Sequence, residues 1–301
     1  MPLSEQQFIE LEGNIRKTWD AYIKEEEDFF PKLYNIITNK NSMFTDFTVG
    51  AMGRMTPWEG SVAYDSFEKG YEKTYRPAKY STGIQIPRDM YEDKEYEQIK
   101  TRVNNIAHGV IKTLQYESAD VFENAFSSSY TGPDGKALCA SDHKTIPTAP
   151  EQSNVGTSDL SYDSYESTLL AMKDWIDDRG DKMLIRGDFV IAGEYWRKTC
   201  KQLFGSDKEA YVSDNQINAY KDVEYYIHPL ITGKKWFVAN KRAMKGGAGL
   251  NLVMRRDPRK IERDGATALG DFNTEMLSWK AVGRWVKGWT NWFFLYGHNP
   301  S

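Results

Sequence analysis

A chain of 301 residues with 40% hydrophobic and 27% charged side chains has the balance of a folded protein, which excludes wholesale disorder. A formal net charge of −4 argues against a dedicated nucleic-acid binder, and two cysteines, Cys139 and Cys200, exclude a disulfide framework and fit a reducing cytoplasm. Aromatic residues reach 14%, with nine Trp and eighteen Tyr, and such side chains gather in cores and interfaces, pointing to extensive association.

The opening MPLSEQQFIELEG has neither a basic nor an apolar leader region, and no apolar run approaches the ~18 residues of a membrane helix. Ser4 and Gln7 have capping-box spacing. Phe8, Leu11, Ile15, Trp19, Tyr22 and Ile23 then follow helical spacing, predicting an amphipathic helix that ends near Phe30-Pro31. Residues 1–45 therefore read as an arm whose apolar positions, Phe8, Leu11, Ile15 and Trp19, must lie on something.

Residues 46–88 change character: Gly, Pro, β-branched and aromatic residues recur without helical period, predicting two extended arms around a turn near Glu68-Lys69-Gly70. Tyr64, Phe67, Tyr71, Tyr75 and Tyr80 interleave with Asp65, Glu68, Lys69, Glu72, Lys73, Arg76 and Lys79. A lone two-stranded ribbon is marginal in water. It must either fold back on its own domain or be covered by a neighbouring chain, and exposed aromatic surface favours the neighbour. On that reading Tyr64, Asp65, Phe67, Glu68, Lys69, Tyr71, Lys73, Tyr75 and Arg76 are intersubunit contacts. Lys69, Lys73 and Lys79 read as surface charges.

Asp89 and Glu92 predict a second capping box. Ile99, Val103, Ile106, Val110, Ile111, Leu114, Val121, Phe122 and Ala125 keep to one stripe, so a long spine helix is expected over Tyr91–Phe126. A Ser-, Gly- and Pro-rich loop follows to Ser161. Then come a helix over Asp163–Asp177 ended by Asp178-Arg179-Gly180, a buried strand at Phe189–Ala192, a helix at Glu194–Phe204, and strands at Val223–His228 and Lys235–Ala239. The tail FNTEMLSWKAVGRWVKGWTNWFFLYG reads as strands with a turn at Lys287-Gly288. Overall this is an α+β chain in which one domain, residues 89–130 plus 250–301, carries the spine, and residues 131–249 form an inserted domain.

The segment DGKALCASDHKTIPTAP is the one place where reactive side chains crowd, with Cys139, Ser141, Asp142 and His143 together. Metal sites need three or four ligands, and His108, His228 and His298 stand alone. A triad draws its members from different directions. Lys245-Gly246-Gly247-Ala248-Gly249 lacks the spacing of a phosphate loop. No catalytic, cofactor or metal site is expected.

Asp134-Gly135-Lys136-Ala137-Leu138, His143, Asn154-Val155-Gly156 and Leu160-Ser161 resemble a segment of the major capsid proteins of tailed bacteriophages, nearest to the Mu-type head-subunit group. Asp177-Asp178-Arg179-Gly180, the strand at Phe189–Ala192, VEYYIHPLI and KKWFVAN follow in similar order, and the resemblance covers the whole chain. It departs at Arg186-Gly187 and at Cys139. The resemblance implies an N-terminal arm (1–45), an extended E-loop (46–88), a peripheral domain (89–130 plus 250–301) and an axial domain (131–249). It implies a non-enzymatic subunit that forms pentamers and hexamers of an icosahedral shell, enclosing double-stranded DNA without reading its sequence. A separate scaffold protein and a portal are implied as partners, with assembly in the bacterial cytoplasm, residence in the virion and no membrane. An encapsulin-like compartment shell is the first alternative, and a cytosolic enzyme using Cys139 or His143 the second.

Overall fold

The computed structural model describes residues 5–26, 28–58, 60–62, 64–66, 68–208, 217–263 and 276–301. Helix α1 spans Glu5–Glu25 and ends there, earlier than the spacing predicts. Phe30-Pro31 instead opens a separate single turn, α2 (Phe30–Leu33), because proline is tolerated in a first helical turn, where its missing N–H has no helical acceptor, and poorly in a last. Ser4 and the side chains of Phe8 and Leu11 lie outside the described residues.

Strand β1 (Asn35–Thr38) leads into a ribbon of β2 (Phe44–Val49) and β3 (Lys69–Tyr75), which pair antiparallel. The expected turn at Glu68-Lys69-Gly70 is therefore misplaced: Lys69-Gly70 begins β3, and residues 50–68 form the tip. Gly70 is needed for close approach, since a Cβ there would sit 2.0 Å from Thr48 Oγ1. That hydroxyl accepts the Tyr71 N–H at 2.7 Å. After Tyr75 the chain enters β4 (Ala78–Pro87), which pairs along its full length with a later strand of the body instead of extending the ribbon.

The spine is broken once. Helix α3 (Arg88–Glu92) stops at Lys94, whose φ of 62° is left-handed, and α4 restarts at Tyr96 and runs to Glu123. The expected Asp89/Glu92 capping box does not form; Pro87 precedes α3 with no side-chain cap. At 28 residues α4 is about 42 Å long, and Ile99, Val103, Val110, Ile111, Leu114, Val121 and Phe122 are buried along one stripe as their spacing predicts, whereas Ile106 is only half-buried and Ala107 beside it takes the inner place.

Beyond the loop come β5 (Val155–Gly156), α5 (Tyr162–Lys173), β6 (Phe189–Gly193), α6 (Arg197–Phe204), β7 (Glu224–His228), β8 (Trp236–Ala239) and α7 (Lys241–Met244). A Ser161/Ser164 capping box starts α5. The closing strands are β9 (Leu250–Arg256), β10 (Ile261–Arg263), β11 (Met276–Trp289) and β12 (Leu295–His298). Lys287-Gly288 is not a turn but part of β11, opposite Leu252 and Asn251; the missing side chain admits the Tyr75 ring, which a Cβ would meet at 3.1 Å.

Among the described residues two main sheets result. One runs β1-β9-β11-β10, with β4 on β11; the other runs β5-β12-β8-β6-β7. Strand β12 thus leaves the closing segment and enters the middle sheet, where Leu295 faces Ala239 and His298 faces Trp236. One buried cluster joins α4 through Phe122 to strands of both sheets, including Phe237, Leu252 and Trp285.

His298 closes the second sheet. Its Nε2 lies 2.8 Å from Thr168 Oγ1, and that hydroxyl donates to Ser164 O, so Nε2 carries the proton and donates. Nδ1 is buried without a partner and the ring stacks on Trp236 at 4.0 Å. Burial pushes its pKa from 6.5 down to about 4. Between those two values the unfolded chain binds a proton that the folded chain does not, so stability falls as pH drops through that window. His298→Asn should remove about 2 kcal/mol of the wild-type stability loss between about pH 7 and pH 5, read by urea unfolding at both values.

Candidate assembly surface

The reactive-looking loop is a packed knot. His143 is fully buried, with Nδ1 2.6 Å from Asp134 Oδ2, Nε2 3.2 Å from Leu138 O, and its ring stacked on Trp292 at 4.9 Å. Asn154 accepts from Ala140 N at 2.9 Å and donates to Leu138 O and Leu295 O at 2.8 and 3.1 Å. In the sequence signature Asp134…His143…Asn154 the first two are partners, the last two meet at the Leu138 carbonyl, and Asn154 fastens the loop to β12 through Leu295 O. Burial holds the Cys139 thiol well above its ordinary pKa, which disfavours the nucleophilic thiolate. Asp142 lies apart, paired with Lys136. Among the described residues no group of three His, Cys, Asp or Glu could hold a metal ion, and no helix is long and apolar enough to cross a membrane.

The arm and the ribbon are both tied to their own chain. Ile15 and Trp19 are buried under α1 against Ile99, Val103 and Trp279, and Trp19 Nε1 donates to Arg259 O at 2.7 Å. At the ribbon base Tyr75 is buried. Its OH is 2.9 Å from Thr290 Oγ1, which donates on to Asp46 Oδ2 at 2.6 Å. Desolvation raises the Tyr75 pKa to about 12. Lys73 sits over the Trp289 ring and donates to Thr131 O, and burial lowers its pKa. Tyr71 is half-buried, Lys69 pairs with Glu72 at 2.7 Å, and Arg76 is exposed.

The tip is tied differently. Asp65 accepts from Gly53 N at 2.6 Å and from Arg179 Nη2 at 2.9 Å, and these bonds lower its pKa. Glu68 accepts from Thr148 Oγ1 at 3.0 Å. Tyr64, 94% exposed, has company that the sequence reading did not include: Met52, Met55, Trp58 and Val62 are also exposed, Met55 at 99%. Phe47 and Val49 continue the apolar surface along β2. Phe67 lies outside the described residues. In MGRMTPWEGSV the apolar residues are scattered among Gly, Pro, Arg and Glu, and the charged and aromatic alternation further on drew the expected set towards β3. Of the expected contacts, Tyr64 and Arg76 are free on the surface, whereas Tyr75, Ile15 and Trp19 are enclosed by the chain itself.

No family model matches the sequence, and no curated protein does. Solved structures do match over most of the length. A chain of the procapsid of bacteriophage JBD30 shares the fold with a TM-score of 0.55 at 12% identity, covering 99% of this chain and 77% of that one. The capsid of the myovirus phage XM1 gives 0.54 at 7% identity, over 91% and 92% of the two chains. A virus-like particle from Pyrococcus furiosus gives 0.52 at 9% identity, over 95% and 98%. The fold is that of tailed-phage capsid proteins: an arm, a long loop, a spine helix and two sheet-bearing lobes. The matches span different particles and single out no Mu-type subgroup.

Proposed function

We propose that this protein is the structural subunit of the icosahedral head shell of a tailed double-stranded-DNA phage or prophage, a virion component and not an enzyme. The observation that carries this reading is the correspondence of fold over 99% of the chain, arm and loop included, with a procapsid subunit. The exposed apolar tip adds chemistry to it. Met52, Met55, Trp58, Val62 and Tyr64, which their own chain leaves in water, are the kind of surface a second copy covers. Contacts of one patch with a different patch close into rings, and many modest contacts acting together hold a container.

Pentamers and hexamers of the chain, a separate scaffold, a portal and enclosed DNA held without sequence reading belong to the same proposal. The net charge of −4 suits a wall that surrounds DNA without gripping it. The four regions at 1–45, 46–88, 89–130 plus 250–301, and 131–249 are proposed as arm, E-loop, peripheral and axial domains, with β12 contributed to the axial sheet.

Sedimentation and negative-stain microscopy of the purified protein, with and without a co-expressed scaffold, should show rings, tubes or closed shells. A strictly monomeric species at high concentration in both conditions would overturn the proposal. The Pyrococcus particle, matched over 98% of its chain, favours a second reading as a compartment shell around a protein cargo. A neighbouring gene for a cargo enzyme would support it; neighbouring genes for portal and terminase would exclude it.

A further inference from the structure

We propose that a polar clasp centred on Arg179 presets the E-loop tip, holding its apolar face outward for a second copy of this chain. This deepens the shell-subunit reading and rests on it. The clasp joins two segments more than a hundred positions apart. Arg179 Nε donates to Ala51 O at 2.8 Å, and its Nη2 donates to Asp65 Oδ1 at 2.9 Å and to Ser66 O at 2.6 Å. One guanidinium therefore grips both the outgoing and the returning limb of the tip, using the fixed fork of donors that lysine lacks. Asp178 Oδ1 accepts from Ala51 N at 2.7 Å, and Arg54 Nε donates to Asp181 Oδ2 at 2.9 Å.

Two glycines make room for these bonds. A Cβ at Gly50 would lie 2.7 Å from Asp178 Oδ2, and one at Gly53 would lie 3.0 Å from both Arg179 Nη1 and Asp65 Oδ2. Neither glycine has a left-handed φ. Their place in VGAMGRM is explained by close approach of the acid and the guanidinium, not by backbone conformation.

Two roles are open to such a contact: it could hide the tip or present it. The geometry favours presentation. Every bond of the clasp uses backbone or charged atoms, while Met52, Met55, Trp58 and Tyr64 stay exposed. A contact that hid the tip would spend those side chains on the body. Fixing the loop beforehand lowers the ordering cost that a neighbour would otherwise meet on binding.

The test uses the full chain and Arg179→Ala, with Asp65→Asn as a second variant cut from the opposite side of the clasp. Arg179 is partly exposed, so both variants should fold and unfold at the wild-type denaturant midpoint. Trypsin cleavage after Arg54, followed by mass spectrometry on unassembled protein, should be at least about tenfold faster in each variant. The protein concentration at which particles first sediment should rise about threefold or more. Unchanged cleavage would overturn the clasp. Faster cleavage with an unchanged or lower assembly threshold would overturn its presetting role and make it a restraint. A wild-type chain that builds no particles refutes the shell reading instead, and the cleavage ratio still decides whether the clasp exists.

Discussion

Replacing His143 with alanine is expected to remove about 3–5 kcal/mol of stability, because it strips the partner from a carboxylate that is itself enclosed. The Asp134 side chain is only 6% exposed, and its Oδ2 faces His143 Nδ1 at 2.6 Å. The same substitution opens a gap beside Trp292 and leaves the Leu138 carbonyl short of a neighbour. Cys139→Ala, by contrast, should cost only about 1 kcal/mol, since it removes a small buried thiol that acts as a hydrophobe. Urea unfolding followed by tryptophan fluorescence checks both values. The contrast also separates the structural role from the enzyme alternative. In a Cys/His catalytic pair either change abolishes activity whatever its effect on stability. Equal, near-zero costs for the two variants would mean that the knot does not fasten the loop as described.

That knot shows what the sequence could and could not disclose. Cys139, Ser141, Asp142 and His143 look like reactants when read as neighbours. The meaningful partners are Asp134, Asn154 and Trp292, brought in by the loop path and by β12. The spine was legible because burial follows a local period: Ile99, Val103, Val110, Ile111 and Leu114 repeat on one face whatever lies opposite. Its break at Lys94 was not, since nothing in the side chain announces a left-handed backbone.

Glycine misled twice in the same way. Gly70 and Gly288 were read as turns because turns are where glycine is commonest, yet both sit in strands where another side chain needs the space. The clasp was invisible for a related reason. Asp177-Asp178-Arg179-Gly180 was correctly read as a turn, but not as the end of a helix: α5 stops at Lys173, and the turn joins the bridged residues Ile176 and Lys182. Its partners at Ala51, Asp65 and Ser66 depend on how the ribbon folds back, which no local pattern encodes. Sequence order carried the fold because each element has its own local signal. It carried the site poorly because the site is made of distant pairs.

Phe122→Ala is expected to weaken both lobes together, by about 3–5 kcal/mol, a large part of the roughly 5–15 kcal/mol that holds a typical domain folded. Phe122 is fully buried on α4, edge-on to Phe237 of β8 at 5.5 Å and close to Tyr34. The same cluster holds Phe189 and Ile191 of β6, Leu250 and Leu252 of β9, and Trp285 and Trp289 of β11. An apolar core shared between two sheets gives neither lobe a separate unfolding transition, so the loss must appear everywhere at once. Amide exchange should show protection falling by a similar free energy in β6 and in β9, with a single unfolding step at a lower denaturant concentration. Loss of protection in one sheet alone would mean that the lobes are independent and that the spine only touches them. Joint loss would mean that the spine and the two sheets it joins through this cluster unfold as one unit.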